Sequence, residues 1–160
     1  NPMKTPSQLK AQSITDLVAS LLIPVHNKSL LVPNIVIAEV VALQMISPLP
    51  EAPSWALGSI LWRGEQVPVM SFEIANSEIH GRDSEQARLA VLNAASGQSR
   101  FKYFAILVQG IPRMIKLTAA DVQEDKLASL GQGERMAVIT QLGKAVIPDM
   151  DYLEALLDKL

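Results

Sequence analysis

Between Val18 and Val25, apolar side chains fall at Ala19, Leu21, Ile23 and Val25, the period of two that predicts a strand with one buried face. The next residues, "HNKS", predict a turn. Asn27 tolerates a left-handed backbone and so suits a hairpin tip, after which "LLVPN" starts the return strand. Asn27-Lys28-Ser29 also fits a glycosylation sequon, but with no secretory signal ahead of it the turn reading prevails. In "ISPLPEAPSW", Pro48, Pro50 and Pro53 exclude a helix and a central strand alike, leaving a stiff, extended link. "LGSILW" and "QVPVMSF" then read as strands around "RGE", where Gly64 can take a positive φ and Arg63 lies at a strand end. Pro68 cannot donate to a ladder, which predicts an edge strand or a bulge there.

The middle of the chain reads two ways. In "DSEQARLAVLNAAS" the alanine content and a Ser84 N-cap favour a helix, whereas "RLAVLNA" and "RFKYFAILVQG" on either side of "SGQS" suit a hairpin. "KYFAILV" is apolar on both faces and predicts a strand buried on both sides. "TAADVQEDKLASLGQGER" reads as a surface loop, and its "GQG" lacks the third glycine and the preceding strand of a phosphate loop. "RMAVITQLGKAVIPDM" predicts a hairpin around Leu142-Gly143-Lys144. In "DYLEALLDKL", Leu153, Leu156, Leu157 and Leu160 make a helical stripe that docks on the wall of the β-structure, with Asp151 and Glu154 spaced like a capping box. "SILWRGEQVPVMSFE" is faintly echoed by "AVITQLGKAVIPDMD", with slipped spacing. Duplication of a small barrel and ordinary hairpin chemistry both explain the echo.

Composition narrows the function classes. The 160 residues are 49% hydrophobic and 19% charged, which argues for a well-folded globule. A net charge of -2 offers no field that would gather nucleic acid, and aromatics at 4% are not interleaved with basic residues for base stacking. The absence of cysteine excludes disulfides and thiolate chemistry and fits a reducing, cytoplasmic setting. "NPMKTPSQLKAQSITD" lacks a signal-like apolar core and reads as a flexible tail over residues 1–16, ahead of a domain over 17–160. No apolar run approaches the roughly 20 residues of a spanning helix, so direct membrane insertion is not expected.

Candidate chemistry is sparse. His26 in a turn and His80 in a loop have no ligand partners at metal spacing and are expected to be exposed, so no metal or cofactor is expected. There is no Gly-x-Ser-x-Gly elbow. Asp149 and Asp151 are better read as a strand end and a helix cap than as an acid-base pair. The chain is not expected to be an enzyme.

One ordered set of residues does carry a functional signal. "NIVIAEVV" followed by "ISPLPEAPSWALGSILWRGEQVPVMSFE" resembles the CheW family of chemotaxis coupling proteins, with Glu39, Pro50, Pro53, Gly58, Arg63, Gly64, Pro68 and Val69 matching its motif. The likeness extends through "RLAVLNA", "FAILVQGIPRMIKL" and "GKAVIPDMDYLEALL", and it implies that the ambiguous middle is strand.

The implied fold is all-β: two interlocked SH3-like five-stranded β-barrels with a C-terminal helix. The implied role is a non-catalytic adaptor, monomeric in isolation. It would join the cytoplasmic tip of a methyl-accepting chemoreceptor to the regulatory domain of a CheA-type histidine kinase, at membrane-bound receptor arrays. The resemblance makes Ile35, Ile37, Glu39, Val41, Gly58, Trp62 and Arg63 the candidate partner-binding residues. It puts Arg63 on the functional surface with Glu39 close enough to pair. For Ile35, Ile37 and Val41, core packing is expected of alternate members and contact of those facing outward, and Trp62 is read as core before anchor.

Ser71 and Gln109 stand where the family carries carboxylates, which points to an accessory member, for instance the ChpC type of a pilus-driven twitching system. The rival readings are a small-molecule-binding double barrel, marked by an enclosed apolar cavity, and a receptor-binding module that works without a kinase.

Overall fold

The computed structural model describes residues 18–95, 97 and 99–160, and the expected tail over 1–16 lies outside them. Strands β1 (Val18–Val25) and β2 (Lys28–Pro33) form the first hairpin, whose tip carries Asn27 at φ 62. A short 3-10 turn leads to β3 (Ile37–Ala42), and the proline-rich link then delivers β4 (Ala56–Trp62) and β5 (Glu65–Met70). After a one-turn helix α1 (Phe72–Ala75) come β6 (Arg88–Asn93) and β7 (Tyr103–Val108), so the middle is strand. Strands β8 (Arg113–Leu117), β9 (Gln123–Glu124), β10 (Glu134–Thr140) and β11 (Gly143–Pro148) precede the closing helix α2 (Met150–Leu157).

Two sheets result, one of six strands in the order β8-β1-β2-β11-β10-β9 and one of five in the order β3-β6-β7-β5-β4. They share one plan. In each, a hairpin (β10–β11 or β4–β5) attaches in parallel, through its second strand, to the second strand of another hairpin (β1–β2 or β6–β7). The first strand of that other hairpin in turn pairs with an antiparallel neighbour, β8 or β3. The echoed segments fall on the equivalent hairpins β10–β11 and β4–β5. Each is followed by a helix whose cap, Asp149 or Ser71, accepts from the backbone N–H three residues on.

Three apolar clusters fill the molecule. One, shared by the two sheets and the helices, includes Leu21, Ile23, Phe72, Phe104 and Leu153; the others lie within the five-stranded sheet around Trp62 and Leu89 and within the six-stranded sheet around Leu22 and Val138. Strand β1 therefore buries both faces, not one, because Leu22 points into its own sheet while Leu21 and Ile23 meet the shared core. The α2 stripe docks as expected, with Leu153, Leu156 and Leu157 buried. Its cap is Asp149, whose side chain accepts from Tyr152 N; Asp151 is exposed in the first turn, 3.5 Å from Arg135.

Several local expectations are corrected. β5 is flanked by β4 and β7 and is not an edge strand. Pro68 is tolerated there because Ser59, its partner in β4, turns both backbone groups away to Ser47 (2.9 and 2.8 Å), and the register with β7 begins only at Val69. The bulge lies instead in β4, between Ala56 and Gly58. The last hairpin turns at Gln141-Leu142, since Thr140 already pairs with Gly143. The loop after β8 is not irregular throughout: Thr118 and Asp121 form a capping box on a 3-10 turn, and β9 pairs with β10.

Candidate partner-binding surface

The turn between β4 and β5 consists of Arg63 and Gly64, closed by the pair Trp62 and Glu65. Both turn residues are left-handed, with φ 47 and 78, the backbone that a two-residue hairpin of this twist demands. Glycine adopts it freely, whereas a residue with a Cβ pays about 1–2 kcal/mol. Arg63 thus occupies a strained tip position, not a strand end.

The guanidinium is held on one side. Its Nη2 lies 3.5 Å from Glu39 Oε1, and its Cζ sits 4.5 Å from the centre of the Trp62 ring. Trp62 donates its indole N–H to the same Glu39 oxygen at 2.7 Å and meets Tyr103 edge-on, with ring centres 4.9 Å apart. The indole is 6% exposed, so it forms a floor under the cation. β3 and β4 are opposite edges of the five-stranded sheet. Their meeting through Glu39 and Trp62 shows that the sheet curls until its edges approach. The Arg63 side chain, 66% exposed, leaves most of its donors to solvent. Among the described residues, the carbonyls of the proline-rich link make no hydrogen bond to it.

The other expected residues are placed differently. Ile35 protrudes, 85% exposed, from the 3-10 turn before β3. Ile37 leans on the shared core and Val41 on the core around Trp62. A bulge between Ile37 and Glu39 shifts the phase of β3, so the two do not share a face as strict alternation would have it. Gly58, at φ 144, is buried where the link crosses β4; a Cβ there would meet Ser47 O at 2.2 Å. The structure therefore gathers Glu39, Trp62 and Arg63 into one cluster, flanks it with β3, and gives Gly58 a backbone role beneath the link. Leu61, 72% exposed between the inward Ile60 and Trp62, adds an outward apolar residue beside the cluster, and the period-two pattern of β4 makes it legible in the sequence.

The CheW-like domain model matches residues 19–157. The chain belongs to the CheW-like domain family. Its fold is similar to that of the scaffolding protein TtCheW from Thermoanaerobacter tengcongensis, with a TM-score of 0.70 at 16% identity, covering 83% of this chain and 89% of that chain. No curated protein matches the sequence. The CheW-like fold thus presents Arg63 at the tip of a hairpin, and no helix among its described residues is long and apolar enough to cross a membrane.

The two departures from the CheW pattern also have definite places. Ser71 is the buried cap of α1, accepting from Ile74 N at 3.1 Å, and its hydroxyl lies 2.8 Å from His80 Nδ1. Gln109 accepts from Ser84 N and donates to Asp83 at 3.0 Å. Hydrogen bonding thus survives without the carboxylates. The expectation that His26 and His80 are exposed and apart is overturned. Their rings are 4.9 Å from centre to centre, and their side chains are only 17% and 13% exposed, because Glu73 on α1 draws both loops inward.

Proposed function

We propose that this chain is a non-enzymatic coupling adaptor. It forms one coupling domain over residues 17–160 with two similar halves, and it joins the cytoplasmic tip of a methyl-accepting chemoreceptor to the regulatory domain of a CheA-type kinase. The observation that carries the reading is Arg63: a cation kept at a strained, exposed tip, propped by Trp62 and Glu39, with donors free. An exposed ion pair contributes only about 0–1 kcal/mol, so stability is a poor reason for it. A planar, multi-donor head suits recognition of a carboxylate or of backbone carbonyls. Ile35, exposed on the 3-10 turn before β3, and Leu61, exposed on β4, supply apolar contact around the charge.

Loss of family carboxylates at Ser71 and Gln109 favours an accessory member, of the kind that serves pilus-driven twitching, recruited from the cytoplasm to receptor arrays. Calorimetric titration with the regulatory domain of the kinase encoded beside it, and with a receptor-tip fragment, tests the proposal. Heat with saturation is expected for at least one of the two, and its absence for both at tens of micromolar contradicts the role. The cleft of about 490 Å³ between the link and Phe101 is open to solvent, which gives the small-molecule reading little support.

A further inference from the structure

The histidine pair sits where the two halves of the molecule meet. His26 lies in the tip of the β1–β2 hairpin, and Glu73, His80 and Asp83 come from α1 and the loop that follows it. Donor atoms of His26, His80 and Asp83 all lie within 4.8 Å of one another. Glu73, 1% exposed, underlies them. Its Oε2 accepts from His26 N at 2.8 Å and lies 3.9 Å from His26 Nε2, and its Oε1 is 3.4 Å from His80 Nδ1. Two buried atoms here make no hydrogen bond, Glu73 Oε1 and His26 Nε2. A buried carboxylate and a buried imidazole nitrogen left in this condition are costly unless something positive answers them.

We propose that His26, His80 and Asp83 bind a zinc-like divalent ion. Two imidazoles and one carboxylate are a borderline donor set that suits zinc and disfavours magnesium or calcium, which take oxygen ligands. His80 is oriented for the task. Its Nε2 lies 2.8 Å from Asp83 Oδ1, at the side where the ion binds, while its Nδ1 faces Ser71 Oγ at 2.8 Å and Glu73 behind it. A carboxylate or hydroxyl behind a ligating histidine fixes its tautomer and ring orientation. Gln109 donates to the same Asp83 Oδ1 at 3.0 Å. The ion's two positive charges balance Asp83 and Glu73. Zinc donors lie about 2.0–2.2 Å from the metal, so the cluster must contract, which the exposed Asp83 side chain can do by rotating. Gly81 lies beside the site: a Cβ there would make ordinary van der Waals contact with the His26 ring, at 3.4 Å. Bound in this way, the ion staples the first hairpin of the six-stranded sheet to the segment that leaves the five-stranded one. The site is independent of the partner-binding reading.

The test is calorimetric titration of the tag-free, chelator-treated chain with zinc chloride, with magnesium chloride as control, and thermal unfolding alongside. One zinc per chain, a raised melting temperature and no response to magnesium are expected. The chain has only two histidines, so in ring-proton NMR zinc should shift both sets of signals and no others of that kind. Asp83→Asn, a change of equal size at an exposed side chain, and His26→Gln should each weaken binding about tenfold or more. Absence of stoichiometric zinc binding, or binding that leaves both histidine signals in place or survives both substitutions unchanged, overturns the site.

Discussion

Trp62 of β4 donates its indole N–H to Glu39 of β3 at 2.7 Å, joining strands that stand at opposite edges of one sheet. The acceptor serves two neighbours, since Arg63 leans on the same oxygen. Removing the two functions separately gives different results. Glu39→Gln keeps an oxygen for the indole and loses only the charge, so stability should change by less than about 1 kcal/mol. Glu39→Ala leaves the indole N–H of a nearly buried ring without a partner and should cost about 1–3 kcal/mol. Thermal unfolding of the pair checks the difference, and equal melting temperatures would show that the indole bond is not what holds the edges together.

Gly58 tests how the proline-rich link is seated. At φ 144, with Ser47 O only 2.2 Å from where a Cβ would stand, alanine must displace the link or the strand. Gly58→Ala should destabilise by at least about 1–3 kcal/mol, the usual cost of forcing atoms into a packed site. Urea unfolding reads this directly. An unaltered midpoint would mean that the link is not seated on β4 through the Ser47 and Ser59 bridge.

Lys28 and Glu134 couple the first hairpin to β10 at 2.6 Å, with Glu78 beside them. For Glu134, burial pulls its carboxyl upward, but hydrogen bonds from Lys28, Asn76 and the Gly131 backbone, with the Lys28 charge, outweigh it and hold the group below its ordinary 4.5. For Lys28, burial pulls downward, and the bonds and charges of Glu134 and Glu78 outweigh it and raise the ammonium above its ordinary 10.5. Glu134 therefore contributes stability that is present above about 4.5 and lost as pH falls through its lower folded value. The Lys28 contribution is present below about 10.5 and lost as pH rises through its higher folded value. Unfolding free energy measured against pH should fall at both ends, and Glu134→Gln should flatten the acid limb. An acid limb that is unchanged in the variant contradicts the assignment.

Strands and hairpin turns were legible wherever apolar runs and turn residues agreed, as at Leu21 to Val25 with Asn27 or at Ile60 to Val69 with Gly64. It was less so where tertiary packing intervened. Leu22 is apolar out of phase because β1 is covered on both sides, and the bulge after Ile37 turns Val41 to another core. Helix α1 is four residues long, too short for any periodic signal, and only its Ser71 cap marks it. The pairing of Glu39 with Arg63 was foreshadowed by the family motif, but the place of Trp62 beneath them and the left-handed backbone of Arg63 were not, because a turn composed of arginine and glycine specifies a positive φ only at the glycine. His26 and His80 are distant in sequence and carry no shared spacing. Only the fold brings them together over Glu73.

Arg63→Asn separates recognition from packing most directly. Asparagine followed by glycine is the preferred pair for a turn with two left-handed residues, so the backbone is relieved while the cation is lost. Melting temperature should stay within about 2–4 °C of the parent or rise. Affinity for the kinase regulatory domain or the receptor tip should fall at least about tenfold, since charge-assisted hydrogen bonds contribute about 1.5–3 kcal/mol each. Arg63→Lys, which keeps the charge without the planar fork, should recover only part of the binding. Measured on the same preparations, a stable Arg63→Asn protein with weakened binding is the predicted result; a clearly destabilised protein that binds as tightly as the parent would contradict a recognition role for Arg63.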